Sequence, residues 1–130
     1  MTRYLLDTNT VSFLFRSQGQ VAEHLSSVAV GSVCISSVTE AELRYGVAKN
    51  PSRPLATAVD ELCARIAVVG WTSQTAKTYG TLRAHLERTG TTVALHDLLI
   101  AAHATELGAI LVTHDHVFAH VAGLATTDWY

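Results

Sequence analysis

Four short apolar runs recur along the chain, each bounded by polar residues or glycine: RYLL (3–6), SVCIS (32–36), IAVVG (66–70) and AILVT (109–113). Their length and their aliphatic, β-branched content predict strands. LATTD (124–128) is a weaker fifth candidate. Between the runs lie helix-length segments at 10–29, 38–49, 53–65, 73–88 and 96–107. KNPSRP (49–54) stops one helix and starts the next, and Gly90 within TGTT ends the 73–88 helix. Strands alternating with helices predict an α/β fold, a mainly parallel sheet of four to five strands covered on both faces. No repeat, low-complexity tract or long linker interrupts the 130 residues, so a single domain over 1–130 is expected.

Composition narrows the class. The chain is 48% hydrophobic and 15% charged, enough apolar material for a substantial core. A net charge of −2 gives no bulk attraction for nucleic acid, although a local basic patch is compatible with it. Cys34 and Cys63 lie in apolar contexts and read as free thiols in a reducing compartment. No apolar stretch reaches the ~18 residues of a membrane span. Asp7 and Asn9 interrupt the first apolar run too early for a signal peptide, and a cytoplasmic location is expected.

Most of the acidic residues have ordinary surroundings. Asp60, Glu61 and Glu87 fall on polar helix stretches, and Glu40 stands four residues before Arg44, a favourable helical ion pair. Four others do not. Asp7 directly follows YLL, and Asp115 follows AILVT with only His114 between. Each can cap the next helical turn. In an open α/β sheet, however, ligands bind beyond the carboxyl ends of strands, where these two acids stand. Glu42 falls near the middle of an apolar arc formed by Val38, Ala41, Leu43, Tyr45, Gly46 and Val47 on a helix, which is costly for an unpaired charge. Asp97 opens HDLLIAAHATEL, a helix apolar nearly all round, with Ala101 and Ala104 leaving room on its own face.

Two strand ends, a helix interior and a helix start can meet at one edge of a parallel sheet. Unit charges ~4 Å apart repel by about 4 kcal/mol at an effective dielectric near 20, so such a group takes up protons or binds a cation. Oxygen ligands favour a hard ion, Mg²⁺ or Mn²⁺, suited to activating water and neutralising a phosphate.

YLLDTN, ISSVTEAELRYGV (35–47), HDLLIAAHA (96–104) and ILVTHD (110–115), taken together and in order, resemble the PIN-domain ribonucleases, and more narrowly their VapC-type toxins. The resemblance implies a three-layer α/β/α sandwich and Mg²⁺- or Mn²⁺-dependent cleavage of RNA by a metal-activated water, leaving 3′-hydroxyl and 5′-phosphate ends. It assigns the acidic positions to Asp7, Glu42, Asp97 and Asp115. Asp7 and Asp97 would be direct ligands, with Glu42 and Asp115 completing the site, and Thr8, Asn9 and Thr113 as supporting polar groups. It also implies a cognate antitoxin, with an arginine able to satisfy the carboxylates, and a homodimer. The chain departs from the family where His114 and His116 flank Asp115, positions at which small polar residues are common.

Arg44, Lys49 and Arg53, with Arg83 and Arg88 on a later helix, are candidate RNA contacts. Asp-x-Asn-x-Val after a strand also resembles haloacid-dehalogenase-type phosphatases, but their second Asp is Asn9 here. A zinc site from His114, His116 and His120, and a non-catalytic binding module, are further alternatives.

Overall fold

The computed structural model of the chain describes residues 2–130. Five parallel strands form one sheet in the order β3-β2-β1-β4-β5. They are β1 (Tyr4–Leu6), β2 (Val33–Ser36), β3 (Ala67–Val69), β4 (Ile110–Val112) and β5 (Thr126–Thr127). The weak fifth candidate is therefore a two-residue edge strand. Six helices connect them: α1 (Thr8–Phe15), α2 (Val21–Ser27), α3 (Ser37–Lys49), α4 (Arg53–Arg65), α5 (Ser73–Arg88) and α6 (Leu95–Leu107).

Period-two alternation in the strands builds two cores. Leu5, Cys34 and Leu111 are paired neighbours that face α5 and α6, where they meet Leu82, Leu86, Leu98 and Ile100. Leu6, Ile35 and Val112 point the other way, toward Val11, Leu43, Val59 and Leu62 on α1, α3 and α4. A sheet covered on both faces by helices is the expected α/β/α sandwich.

One expected helix divides. The 10–29 segment forms α1 and α2, because Ser17 (φ 55°) and Gly19 (φ 66°) adopt left-handed backbone between them. The other helices follow their predicted bounds to within a residue. The 53–65 helix starts behind Ser52, whose hydroxyl accepts from the Leu55 N–H, with Pro54 in the first turn. Among the described residues no helix is long and apolar enough to cross a membrane.

Strand order decides where a site can form. From β1 the chain steps outward to β2 and β3, then crosses back over β1 to β4 and β5. The connections reverse direction between β1 and β4, and a crevice opens at such a switch beyond the carboxyl ends of the strands.

Across the α6 layer, His103 is fully buried. Its Nδ1 is 2.8 Å from the hydroxyl of Ser36, which also caps α3, and its Nε2 has no partner. Burial pushes the His103 pKa below its ordinary value, with Glu106 opposing and Arg3 assisting. The contribution is therefore fully present above the unfolded pKa of about 6.5 and is lost as pH falls from there through the lower folded pKa. Acidification from about pH 7.5 to about pH 5.5 should lower the Tm of the wild type more than that of His103→Gln, which keeps a polar partner for Ser36 but does not titrate. Parallel Tm-against-pH curves for the two proteins would contradict this.

Candidate functional site

All four singled-out acids stand at the carboxyl edge of the sheet. Asp7 follows β1, and Asp115 lies three residues beyond the end of β4. Glu42 is in the second turn of α3, and Asp97 is in the first turn of α6.

Asp7 is the most constrained of them. It is only 5% exposed. One carboxylate oxygen accepts the Thr10 N–H at 2.8 Å, which caps α1. The other accepts the Thr113 hydroxyl at 2.6 Å. Its own N–H donates to the Val112 carbonyl at 3.1 Å, and the Thr10 hydroxyl donates to that same carbonyl at 2.9 Å. These bonds lock β1, α1 and β4 together around one carboxylate. Capping leaves each oxygen a lone pair beyond the bond it accepts. Burial nevertheless pushes the Asp7 carboxyl above the usual carboxylate range. The bonds from Thr113 and Thr10 pull it down, and the charge of Asp115 adds to the rise.

Glu42 is positioned differently from the helical-wheel expectation. The core-facing residues of α3 are Thr39 and Leu43, while Ala41 is exposed and Tyr45 is 65% exposed. The apolar arc drawn through Ala41 and Tyr45 is therefore not buried. Glu42 is half-buried at its edge, facing α1, where Thr8 donates its hydroxyl to Oε1 at 2.8 Å. The Thr8 hydroxyl also lies 3.4 Å from the Thr39 hydroxyl.

Asp97 is half-buried, with Oδ1 3.2 Å from His96 Nε2. Burial raises its pKa, the His96 charge opposes, and the fields of Asp115, Asp7 and Glu42 raise it further. The three other carboxylates thus add to the rise at Asp97, each from a different element. Asp115 caps a short 3₁₀ turn (His116–His120), accepting the Val117 N–H at 3.0 Å, while its N–H donates to the Thr113 hydroxyl at 3.0 Å. Thr113 thereby links Asp7 to Asp115.

Among the described residues no group of three or more His, Cys, Asp or Glu side chains is already arranged to hold an ion. The donor chemistry nevertheless fits a hard cation, because the four acids and the threonine hydroxyls bonded to Asp7 and Glu42 are oxygen donors. The zinc alternative lacks this fit: His114 is engaged with Asp128, Nδ1 to Oδ2 at 2.8 Å.

The remaining candidates divide. Asn9 is exposed in the first turn of α1. Arg44 is held on the outer face by Asp60 at 2.6 Å and Glu40 at 3.2 Å. Lys49 lies seven residues after Glu42, roughly 10 Å along the axis of α3, with its ammonium 5.9 Å from the Tyr45 ring centroid. Arg53 begins the next helix, beyond that end. Arg83 pairs with Glu87 at 3.8 Å on α5, and Arg88 ends that helix. Residue reading alone missed Thr10 and His96. The spacing Asp7-x-x-Thr10 carries a cap signal for Thr10, whereas His96 is marked only by adjacency to Asp97.

Comparison with known proteins gives consistent results. The PIN domain family model matches residues 4–124. A relative from Shigella flexneri, a tRNA(fMet)-specific endonuclease VapC, is 37% identical over 132 residues and covers 99% of each chain. The DNA-bound VapBC structure from Salmonella typhimurium superposes with a TM-score of 0.92 at 35% identity, covering 100% of both chains. VapBC2 from Rickettsia felis, bound to a DNA fragment from its promoter, also reaches a TM-score of 0.92, at 30% identity over 99% of this chain and 100% of that one.

The burial of Asp7 sets a stability test. Its folded pKa lies above the unfolded value, so its contribution is fully present below the unfolded pKa and lost as pH rises through the folded one. At neutral pH in chelator, Asp7→Asn removes a buried charge and keeps an oxygen for the Thr10 N–H. Its Tm should exceed that of the wild type by roughly 2–5 °C, and the gap should close as pH falls through the raised pKa. A lower Tm for Asp7→Asn at neutral pH would contradict the account.

Proposed function

This chain belongs to the VapC-type branch of the PIN-domain family, and on that premise we propose that it is a metal-dependent endoribonuclease, the toxin of a toxin–antitoxin pair. One observation carries the reading. A buried Asp7, held by the Thr10 N–H and the Thr113 hydroxyl, stands with Asp97, Asp115 and Glu42 at the carboxyl edge of the sheet, where the strand order switches.

Asp7 and Asp97 are the proposed direct ligands of Mg²⁺ or Mn²⁺, with Glu42 and Asp115 completing the site. Such an ion supplies charge neutralisation on the scissile phosphate and lowers the pKa of water. The rest of the work belongs to this chain's side chains. Thr113 and Thr10 fix both oxygens of Asp7 and limit its rotamers. Thr8 aims Glu42 across from α1 to the crevice. Asp97 enters from the first turn of α6. The carboxylates repel a phosphodiester when no ion is bound, so RNA binding and cation binding are coupled.

The proposed partners are RNA, a cognate antitoxin and a second copy of this chain. For the antitoxin, an acidic crevice offers arginine a bidentate carboxylate partner. An apolar groove of about 580 Å³ between α1, α2 and α4, lined by Leu14, Phe15, Leu25, Val28 and Leu62, offers a helix its apolar face. The solved relatives from Salmonella and Rickettsia are VapBC structures, which supports that pairing.

Initiator tRNA is the first substrate to try, because the Shigella and Salmonella relatives are named for it. Purified protein with Mg²⁺ should cut it to 5′-phosphate and 3′-hydroxyl ends, and EDTA should stop the reaction. Asp7→Asn or Asp97→Asn should lower the rate at least about 100-fold. Cyclic phosphate ends, or undiminished cutting in EDTA, would overturn the proposal.

A further inference from the structure

Against His114, next in the chain to Asp115, an exposed aromatic ring is held by more constraints than exposure alone explains. Tyr130 is 50% exposed. Its ring stacks on His114 with centroids 4.3 Å apart and planes 22° apart, and Phe13 meets it edge-on at 4.8 Å. Its N–H donates to one oxygen of Asp128 at 2.9 Å, while the other oxygen of Asp128 pairs with His114 Nδ1 at 2.8 Å. Gly19 closes against the same residue. A Cβ there would lie 2.7 Å from the Tyr130 Cα and 2.9 Å from its ring, in addition to the left-handed φ of 66°. The preceding Trp129 is buried, and its carbonyl accepts the Gln20 N–H at 3.1 Å.

The chain itself connects this ledge to the acidic residues. His114 sits between Thr113, which holds Asp7, and Asp115. Phe13 belongs to α1, the helix that Asp7 caps. RNA needs a contact of this type here. The net charge is −2 and the crevice is acidic, Arg44 is committed to Glu40 and Asp60, and Lys49 and Arg53 lie toward the far end of α3. Affinity that bulk charge does not supply comes from stacking, because unpaired bases stack on aromatic planes whatever their sequence. A ring already locked in place loses little entropy in doing so.

We propose that Tyr130, backed by His114, is the platform on which one unpaired base of the RNA stacks next to the scissile bond. This rests on the ribonuclease reading above. Tyr130 is a binding contact and takes no part in bond breaking.

The test uses the full chain and initiator tRNA carrying 2-aminopurine at single positions around the bond that the wild type cuts. Tyr130→Ala should raise KM about 10-fold with kcat within about two-fold, and Tyr130→Phe should restore KM. In an Asp7→Asn background, which does not cut, one labelled position should be quenched at saturating protein, and adding Tyr130→Ala should abolish that quench. Cleavage by the wild type with KM and quench unmoved by Tyr130→Ala would overturn the platform alone and leave the rings to a protein partner. Failure of the wild type to cut RNA would overturn both readings.

Discussion

A carboxylate taken out of water at a strand end is unfavourable unless donors or a cation meet it. Asp7 meets that condition by drawing three elements together. The Thr10 N–H comes from the helix it caps, the Thr113 hydroxyl comes from beyond β4, and the Asp7 N–H is itself fixed by the Val112 carbonyl. The crevice between β1 and β4 is thereby held to a defined width. Burial still outweighs these donors and leaves the Asp7 carboxyl with a raised pKa, so the folded chain takes up a proton here more readily than a free carboxylate does. Asp97 is in the same condition, and for it the carboxylates of Asp115, Asp7 and Glu42 are part of the cause. Electrostatic strain of this kind is common where a protein keeps a site for function instead of stability.

The supporting hydroxyls belong to the same design. Thr8 and Thr113 each donate to a different acid, and Thr113 also accepts from the Asp115 N–H. Hydroxyls orient carboxylates without neutralising them, which leaves room for a cation to do so. Short strands with fully buried Leu5, Leu6, Leu111 and Val112 give these side chains rigid backing.

The strands and the parallel α/β class were legible because fully buried strands read as uninterrupted apolar runs bounded by polar residues. Asp7 and Asp115 were legible as acids at strand ends, a rule of position that needs no tertiary detail. The break between α1 and α2 was not, since it depends on left-handed backbone at Ser17, a residue with no strong preference for it. Glu42 was singled out from an arc that tertiary packing does not bury. What places it is Thr8, 34 positions away in sequence, and such a contact leaves no periodic signature. The candidate cations illustrate a related point. Proximity of Arg44 and Lys49 to Glu42 in sequence is proximity along a helix surface, whereas a site is reached at one end of it. The ring platform was invisible because Gly19, His114 and Tyr130 are brought together only by closure of the sheet edge.

The central claim is that these four carboxylates form one cation site. It is tested most directly by anomalous diffraction from crystals of this protein soaked in Mn²⁺. The account places a manganese peak between Asp7 and Asp97, with Glu42 and Asp115 turned toward it. A peak at His114, His116 and Asp128 with the acidic crevice empty would contradict it.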